Sequence, residues 1–410
     1  MTPQMTVPRR DKLKELLADG ENVILFAKLD AKLEKFHQDN TFLYFTGLNH
    51  PNLIYVCEKH AGKCNDMLFI ERSDPERIVW EGEKLGIEEA RQISGIQRIH
   101  YLDELYNILT GICTLARKLY SNLGNVTLNR PPSYPMFMLE PVRNRYPHIE
   151  IEEINNLVAP LRKIKTDWEI EQLQTAIDIT GDGILDVMHN AQAGMMEYEL
   201  EATIFYRMQR SGVMRWGFAP IVAAGINAAT LHYEKNNCPV SPDHLVLLDV
   251  GASYNNYSAD ITRCFPISGR FSPRQREIYT IVLDVQRQII AMIAPGVTMA
   301  QLNERTRELL AAGLTEIGLI KDKDELSKYY MHSVGHFLGM DTHDLGGREA
   351  ILEEGNVITV EPGIYIPEEQ LGVRIEDDVL VTAEGHRVLS AKIPKTISEL
   401  EAIRLQALSQ

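Results

Sequence analysis

Cysteine is scarce in this chain of 410 residues: there are five, at positions 57, 64, 113, 238 and 264. Their number is odd, their spacing is scattered and no CxxC pair occurs. This excludes a disulfide framework and a thiolate zinc site, and it points to a reduced, cytoplasmic compartment. Cys57 and Cys64 flank His60 in CEKHAGKC, which reads as a turn between two strands. Long apolar runs are missing too: no stretch approaches the roughly 20 residues that cross a bilayer. The opening MTPQMTVPRRDKLKELL is amphipathic and lacks the apolar run of a signal peptide. Basic residues are outnumbered, and the formal net charge of -15 argues against nucleic acid or an anionic membrane as partner. There is no low-complexity tract and no short-period repeat. The rest is the composition of an ordinary globular protein, with a length that suits two or three domains.

Up to about residue 155, strand-like and helix-like segments alternate. NVILFA (22–27), FLYFTGL (42–48), NLIYVC (52–57) and DMLFIE (66–71) read as strands. The stretch 103–122 reads as a helix, with Leu105, Ile108, Leu109, Ile112 and Leu115 on one face. A smaller α/β domain over 1–155 is expected, without a cluster of chemical groups. A second domain, 156–410, opens at a capping box, Thr166-x-x-Glu169, and its helix continues through Leu173, Ile177, Ile184 and Val187. Ser272-Pro273-x-Gln275 and Thr298-x-x-Gln301 open two more helices. Antiparallel strands lie between and after these helices, so the fold class is α+β.

The strands carry the chemistry. Asp249 lies in LLDVGA, Asp260 in YSADITR, His336 in HSVGHFLG, Glu361 in TVEPGIY and Glu376 in VRIED. A hairpin centred on Tyr254-Asn255 places residue 249 opposite residue 260. Two carboxylates so opposed, at about 4 Å and an effective dielectric near 20, repel by about 4 kcal/mol. A cation between them removes that cost. Glu361 and Glu376 repeat the pattern in NVITVEPGIYIP and LGVRIEDDVLVT, where Arg374 shares a face with Glu376 by two-residue alternation. Four carboxylates and one imidazole carry a charge of -4, which matches two divalent ions. An oxygen-rich set with one histidine suits Mn²⁺, Co²⁺, Zn²⁺ or Fe²⁺ rather than a structural zinc site. Two such ions point to metal-assisted hydrolysis. Any one of these acids alone would be read as a salt-bridged structural residue. HSVGHFLG contains two glycines and lacks the glutamate of HExxH, so it is not read as a zincin helix.

The order Asp, Asp, His, Glu, Glu in these contexts resembles the pita-bread metallopeptidases over about residues 160–400. FHQDNTFLYFTGLNHP resembles the N-terminal domain of aminopeptidase P. The resemblance implies a pita-bread catalytic domain with an antiparallel sheet flanked by helices. It implies that Asp249 chelates one metal, that Asp260 and Glu376 bridge both, and that His336 and Glu361 complete the second. It also implies that Glu361 shuttles a proton, and that His232 in TLHYEKNN and His343 in GMDTHD hydrogen-bond substrate. His332 would line the same pocket, Arg374 would support the metal ligands, and Arg348 would contact a substrate carboxylate. The other eight histidines (37, 50, 60, 100, 148, 189, 244, 386) are read as structural. The implied activity is Xaa-Pro aminopeptidase, dependent on two divalent ions, foremost Mn²⁺, in a homodimer or homotetramer. A prolidase restricted to dipeptides shares the catalytic set. An inactive scaffold or a metal-free creatinase-like hydrolase would have lost ligands that are intact here.

Overall fold

The computed structural model describes residues 1–30, 35–124, 127–347 and 349–409. They form two compact units, Met1–Leu161 and Arg162–Gln410, with the boundary inside the helix Asn155–Lys163.

The first unit is built on strands β1 (Glu21–Phe26), β2 (Ile54–His60), β3 (Lys63–Ile70), β4 (Arg98–Tyr101), β5 (Lys118–Ser121) and β6 (Glu150–Glu153). They form one mixed sheet in the order β4-β3-β2-β1-β5-β6. The first three strands are antiparallel neighbours, and β4, β5 and β6 add in parallel. Between β2 and β3 the two-residue turn Ala61-Gly62 has positive φ at both positions, 49° and 74°. That backbone matches the right-handed strand twist. Ile24, Phe26, Val56, Phe69 and Leu119 pack against Leu109 and Ile112 of the helix Leu105–Leu115 and Leu139 and Val142 of the helix Tyr134–Arg145.

Two segments differ from the sequence expectation. FLYFTGL is a helix, Asn40–Thr46, not a strand. A short apolar run has no period to separate the two states, and the ends decide it. The Asp39 carboxylate accepts from the Phe42 amide, and Gly47 closes the helix at φ 71°. The expected helix 103–122 stops at Leu115, which is 55% exposed. Lys118–Ser121 becomes β5 because it hydrogen-bonds in register with β1 on one side and β6 on the other. Sheet pairing on both edges outweighs local helical periodicity there.

In the second unit the three long helices Asp167–Asn190, Pro273–Met292 and Met299–Glu316 begin at the capping boxes read from the sequence. They flank strands β7 (Ile221–Ala224), β8 (Leu245–Val250), β9 (Ser253–Tyr254), β10 (Tyr257–Ser258), β11 (Ile261–Pro266), β12 (Val357–Val360), β13 (Gly363–Ile366), β14 (Leu371–Arg374), β15 (Asp377–Thr382) and β16 (Gly385–Val388). These make sheets β11-β8-β7 and β12-β15-β16 and the pairs β9-β10 and β13-β14, every pairing antiparallel. The α+β class follows. No helix among the described residues is long and apolar enough to cross a membrane.

Candidate metal centre

Two interrupted ladders deliver the carboxylates. Asp249 sits on β8, and Asp260 immediately precedes β11. They are not directly opposed as expected: Asp249 pairs with Thr262. The turn is centred on Asn255-Asn256, both in the left-handed region at φ 49° and 66°, with Tyr254 opposite Tyr257. Asparagine tolerates that backbone better than tyrosine does. The register moves by two positions, an even number, so both aspartates keep one face and lie on a diagonal. Direct opposition occurs instead in the other ladder. Val360 pairs with Asp377 and Gly363 with Arg374 in a single register. Glu361 and Glu376 therefore face each other in the gap between the two pairings.

His336 comes from a loop laid against β12. The His336 amide donates to Thr359 Oγ1 (3.1 Å), and the Thr359 amide donates to the His336 carbonyl (2.9 Å). A Cβ on Gly335 would stand 2.0 Å from the Thr359 carbonyl oxygen, so glycine permits this approach. His336 Nδ1 lies 3.1 Å from the Phe337 carbonyl oxygen, which can only accept. Nδ1 therefore carries the proton and Nε2 presents a lone pair. That lone pair faces Asp260 at 3.4 Å and Glu361 at 3.5 Å, acceptors turned on acceptors. Asp260, His336 and Glu376 bring ligand atoms within 4.8 Å of one another. Asp249 Oδ1 is buried with no hydrogen-bond partner.

Burial first, then repulsion from Glu376 and Asp249, pushes the Asp260 carboxyl well above the ordinary range. Burial, Glu361 and Asp249 do the same to Glu376. Behind the acids, Arg374 donates to Asp249 Oδ2, to Thr262 Oγ1 (3.1 Å) and to Tyr365 Oη (2.9 Å). Thr262 Oγ1 in turn donates to Glu376 Oε2 at 2.6 Å. His332 Nδ1 donates to the Ser333 carbonyl at 2.8 Å, which leaves Nε2 to accept from Tyr365 at 2.8 Å. Both ring nitrogens of His332 are thus used within the protein, although its ring lines the cavity. Thr262 and Tyr365 were not singled out from the sequence. Thr262 lies two residues after Asp260, on its face by strand alternation, a signal that could have found it.

All five expected ligands, with His232, His332, His343 and Arg374, line one cavity of about 600 Å³. The His343 ring stands edge-on to His336, centroids 4.3 Å apart. Burial, then His336, lowers the basicity of His343. His232 is exposed to the cavity. Arg348 lies outside the described residues.

A family model described as metallopeptidase family M24 matches residues 171–383. The chain belongs to metallopeptidase family M24. A second model, the aminopeptidase P N-terminal domain, matches residues 7–120. The Xaa-Pro aminopeptidase of Haemophilus influenzae is 33% identical, over 96% of this chain and 95% of its own. A Bacillus anthracis structure provisionally termed an aminopeptidase P is 41% identical with a TM-score of 0.94, covering 99% of each chain. Escherichia coli aminopeptidase P, solved with substrate as a Glu-to-Ala variant, is 30% identical with a TM-score of 0.91 over 100% of each chain.

The side chains of this M24 centre fit divalent metal. The unpartnered Asp249 oxygen, the His336 lone pair and two carboxyls destabilised by burial would each be relieved by a bound cation. Hard oxygen donors with one imidazole exclude a thiolate-type structural zinc site.

Proposed function

We propose that this M24 metallopeptidase is an Xaa-Pro aminopeptidase, releasing the first residue from peptides with proline in second position. The convergence of four carboxylates and one imidazole lone pair on one cavity carries the reading. Asp249 would hold one ion, Asp260 and Glu376 both, and His336 and Glu361 the second. The oxygen-rich set favours Mn²⁺, with Zn²⁺ or Co²⁺ able to substitute. When bound, such ions polarise a carbonyl and lower the pKa of a water toward about 7.

The remaining chemistry belongs to the chain. Glu361, 17% exposed at its side chain, takes the proton of the attacking water and passes it to the departing proline nitrogen. The carbon–nitrogen bond breaks, and the water oxygen stays with the released residue. His232 and His343 donate hydrogen bonds to the substrate, where fixed donors are most effective as charge develops. Arg374 and Thr262 keep Asp249 and Glu376 in place. The Xaa-Pro amide has no N–H, so a site acting from the carbonyl side suits it. Arg348 is assigned to a substrate carboxylate and His332 to the cavity wall.

A homodimer or homotetramer is the proposed assembly. Val79 and Trp80 project from the first unit at 89% and 86% exposure, an apolar pair that a neighbouring copy would cover. A cytoplasmic location is supported by five cysteines that are all free. The test is product analysis with metal-loaded protein on an Xaa-Pro-Xaa tripeptide and an Xaa-Pro dipeptide. Release of the first residue from the tripeptide is expected. Cleavage of the dipeptide alone reassigns the chain to prolidase, and cleavage of neither defeats the reading.

A further inference from the structure

Outside the metal centre, one buried acid has no part in the chemistry so far described. Glu197 is the first residue of the helix Glu197–Arg210 and is 0% exposed. A lone carboxylate there needs compensation, and it receives four donors. Oε1 accepts from the Ala224 amide (2.8 Å) and from Asn227 Nδ2 (2.9 Å). Oε2 accepts from the Tyr233 hydroxyl (2.7 Å) and from the Cys238 amide (2.9 Å). Position also helps, because the helix N-terminus favours negative charge.

These donors are not scattered. Ala224 ends β7, Asn227 lies in the short turn Gly225–Ala229, Tyr233 follows His232, and Cys238 ends the same excursion. One helical turn on, Glu201 accepts from Asn236 Nδ2 at 2.9 Å, and Asn236 Oδ1 accepts from the Val222 amide at 3.0 Å. Asn236 is held at φ 44°, a backbone that costs energy unless the surroundings impose it. The loop 225–238 is therefore tied at both ends and beside its functional residue. Three of its side chains, Leu231, His232 and Glu234, line the cavity.

We infer that Glu197 is a positioning residue, whose buried carboxylate fixes the 225–238 loop so that His232 faces the substrate. It touches neither metal ligands nor cavity. The inference rests on the reading above that His232 contacts substrate, and the test separates the two. Glu197→Gln keeps the volume and one acceptor oxygen, so it can serve one donor pair, Ala224 with Asn227 or Tyr233 with Cys238, but not both pairs. Tyr233→Phe removes a single hydroxyl and serves as the gentler variant if the first does not fold. Each is made alone and with His232→Ala, loaded with Mn²⁺, and assayed on an Xaa-Pro-Xaa tripeptide. Hydrogen–deuterium exchange of 225–238 is followed in parallel.

Glu197→Gln should lower kcat by about 10- to 100-fold, since misplacement of a catalytic group by about 1 Å costs that much. KM and bound metal should change less than threefold, exchange across 225–238 should rise, and the loss should vanish in the His232→Ala background. If His232→Ala loses turnover but Glu197→Gln and Tyr233→Phe keep it, the positioning role is overturned and the site reading stands. An equal loss with and without His232 also overturns it, as a general structural effect. Full turnover by His232→Ala itself sinks the histidine assignment and the inference together.

Discussion

Asp377→Asn should destabilise the second unit by about 3 kcal/mol at neutral pH, and the penalty should shrink in acid. Asp377 and Arg263 are both 0% exposed and lie 2.7 Å apart. Ser390 Oγ donates to the same carboxylate at 2.6 Å, and Lys395 reaches its other oxygen. Burial alone would raise this carboxyl, but Arg263 and Lys395 overcome it and hold it down at about 2, against an ordinary 3.8. That depression is worth about 2 kcal/mol. Removing one partner of a buried pair costs more, about 3–5 kcal/mol, because the other stays charged. Arg263 keeps carbonyl partners at Thr262, Glu376, Ile393 and Pro394, which places the cost near the lower end. A folded value below the unfolded one stabilises fully above about pH 4, and the gain fades as pH falls toward 2. Urea unfolding of metal-free protein, read by Trp168 and Trp216 fluorescence, compares variant with wild type at each pH. The ionic part of the difference should be roughly halved by pH 3. A difference under about 1 kcal/mol at pH 7, or one unchanged at pH 3, would refute the reasoning.

Other outcomes follow from the same geometry. Asp260→Ala should bind no metal pair by elemental analysis, while metal-free variant unfolds at or above the wild-type urea midpoint, because a buried repulsion is gone. Full activity in that variant would end the site assignment. His232→Ala should retain both metals and lose turnover by about 100-fold, as when one fixed donor is removed; loss of metal instead would make it a ligand. Gly335→Ala should cost about 1–3 kcal/mol and weaken metal binding, since its Cβ meets the Thr359 carbonyl at 2.0 Å. Unchanged thermal melting and metal content would contradict that.

The candidate ligands were legible because an acid in an apolar segment is costly to bury without a compensating charge, and four such acids, joined by one histidine, share one compensation. The three long helices were legible because their capping boxes lie in four consecutive residues. What escaped depends on partners distant in sequence. Lys118–Ser121 is a strand only because β1 and β6 flank it. The helix at residue 40 was hidden by an apolar run too short to show a period, although Asp39 and Gly47 bracket it. The hairpin register turned on which residues accept positive φ, and Asn255-Asn256 does so better than Tyr254-Asn255. Tyr365, Asp377 and Glu197 are placed by contacts to residues far along the chain, which no spacing rule reveals, whereas Thr262 was within reach of the two-residue alternation from Asp260.

The most direct measurement is the return of Xaa-Pro-Xaa hydrolysis to chelator-stripped protein as Mn²⁺ is titrated in, with bound metal counted alongside. Turnover should be lost on stripping and should return in step with metal binding, reaching its full rate at two ions per chain. Turnover that survives complete stripping, or a fully loaded protein that leaves the tripeptide intact, would contradict the dimetal aminopeptidase.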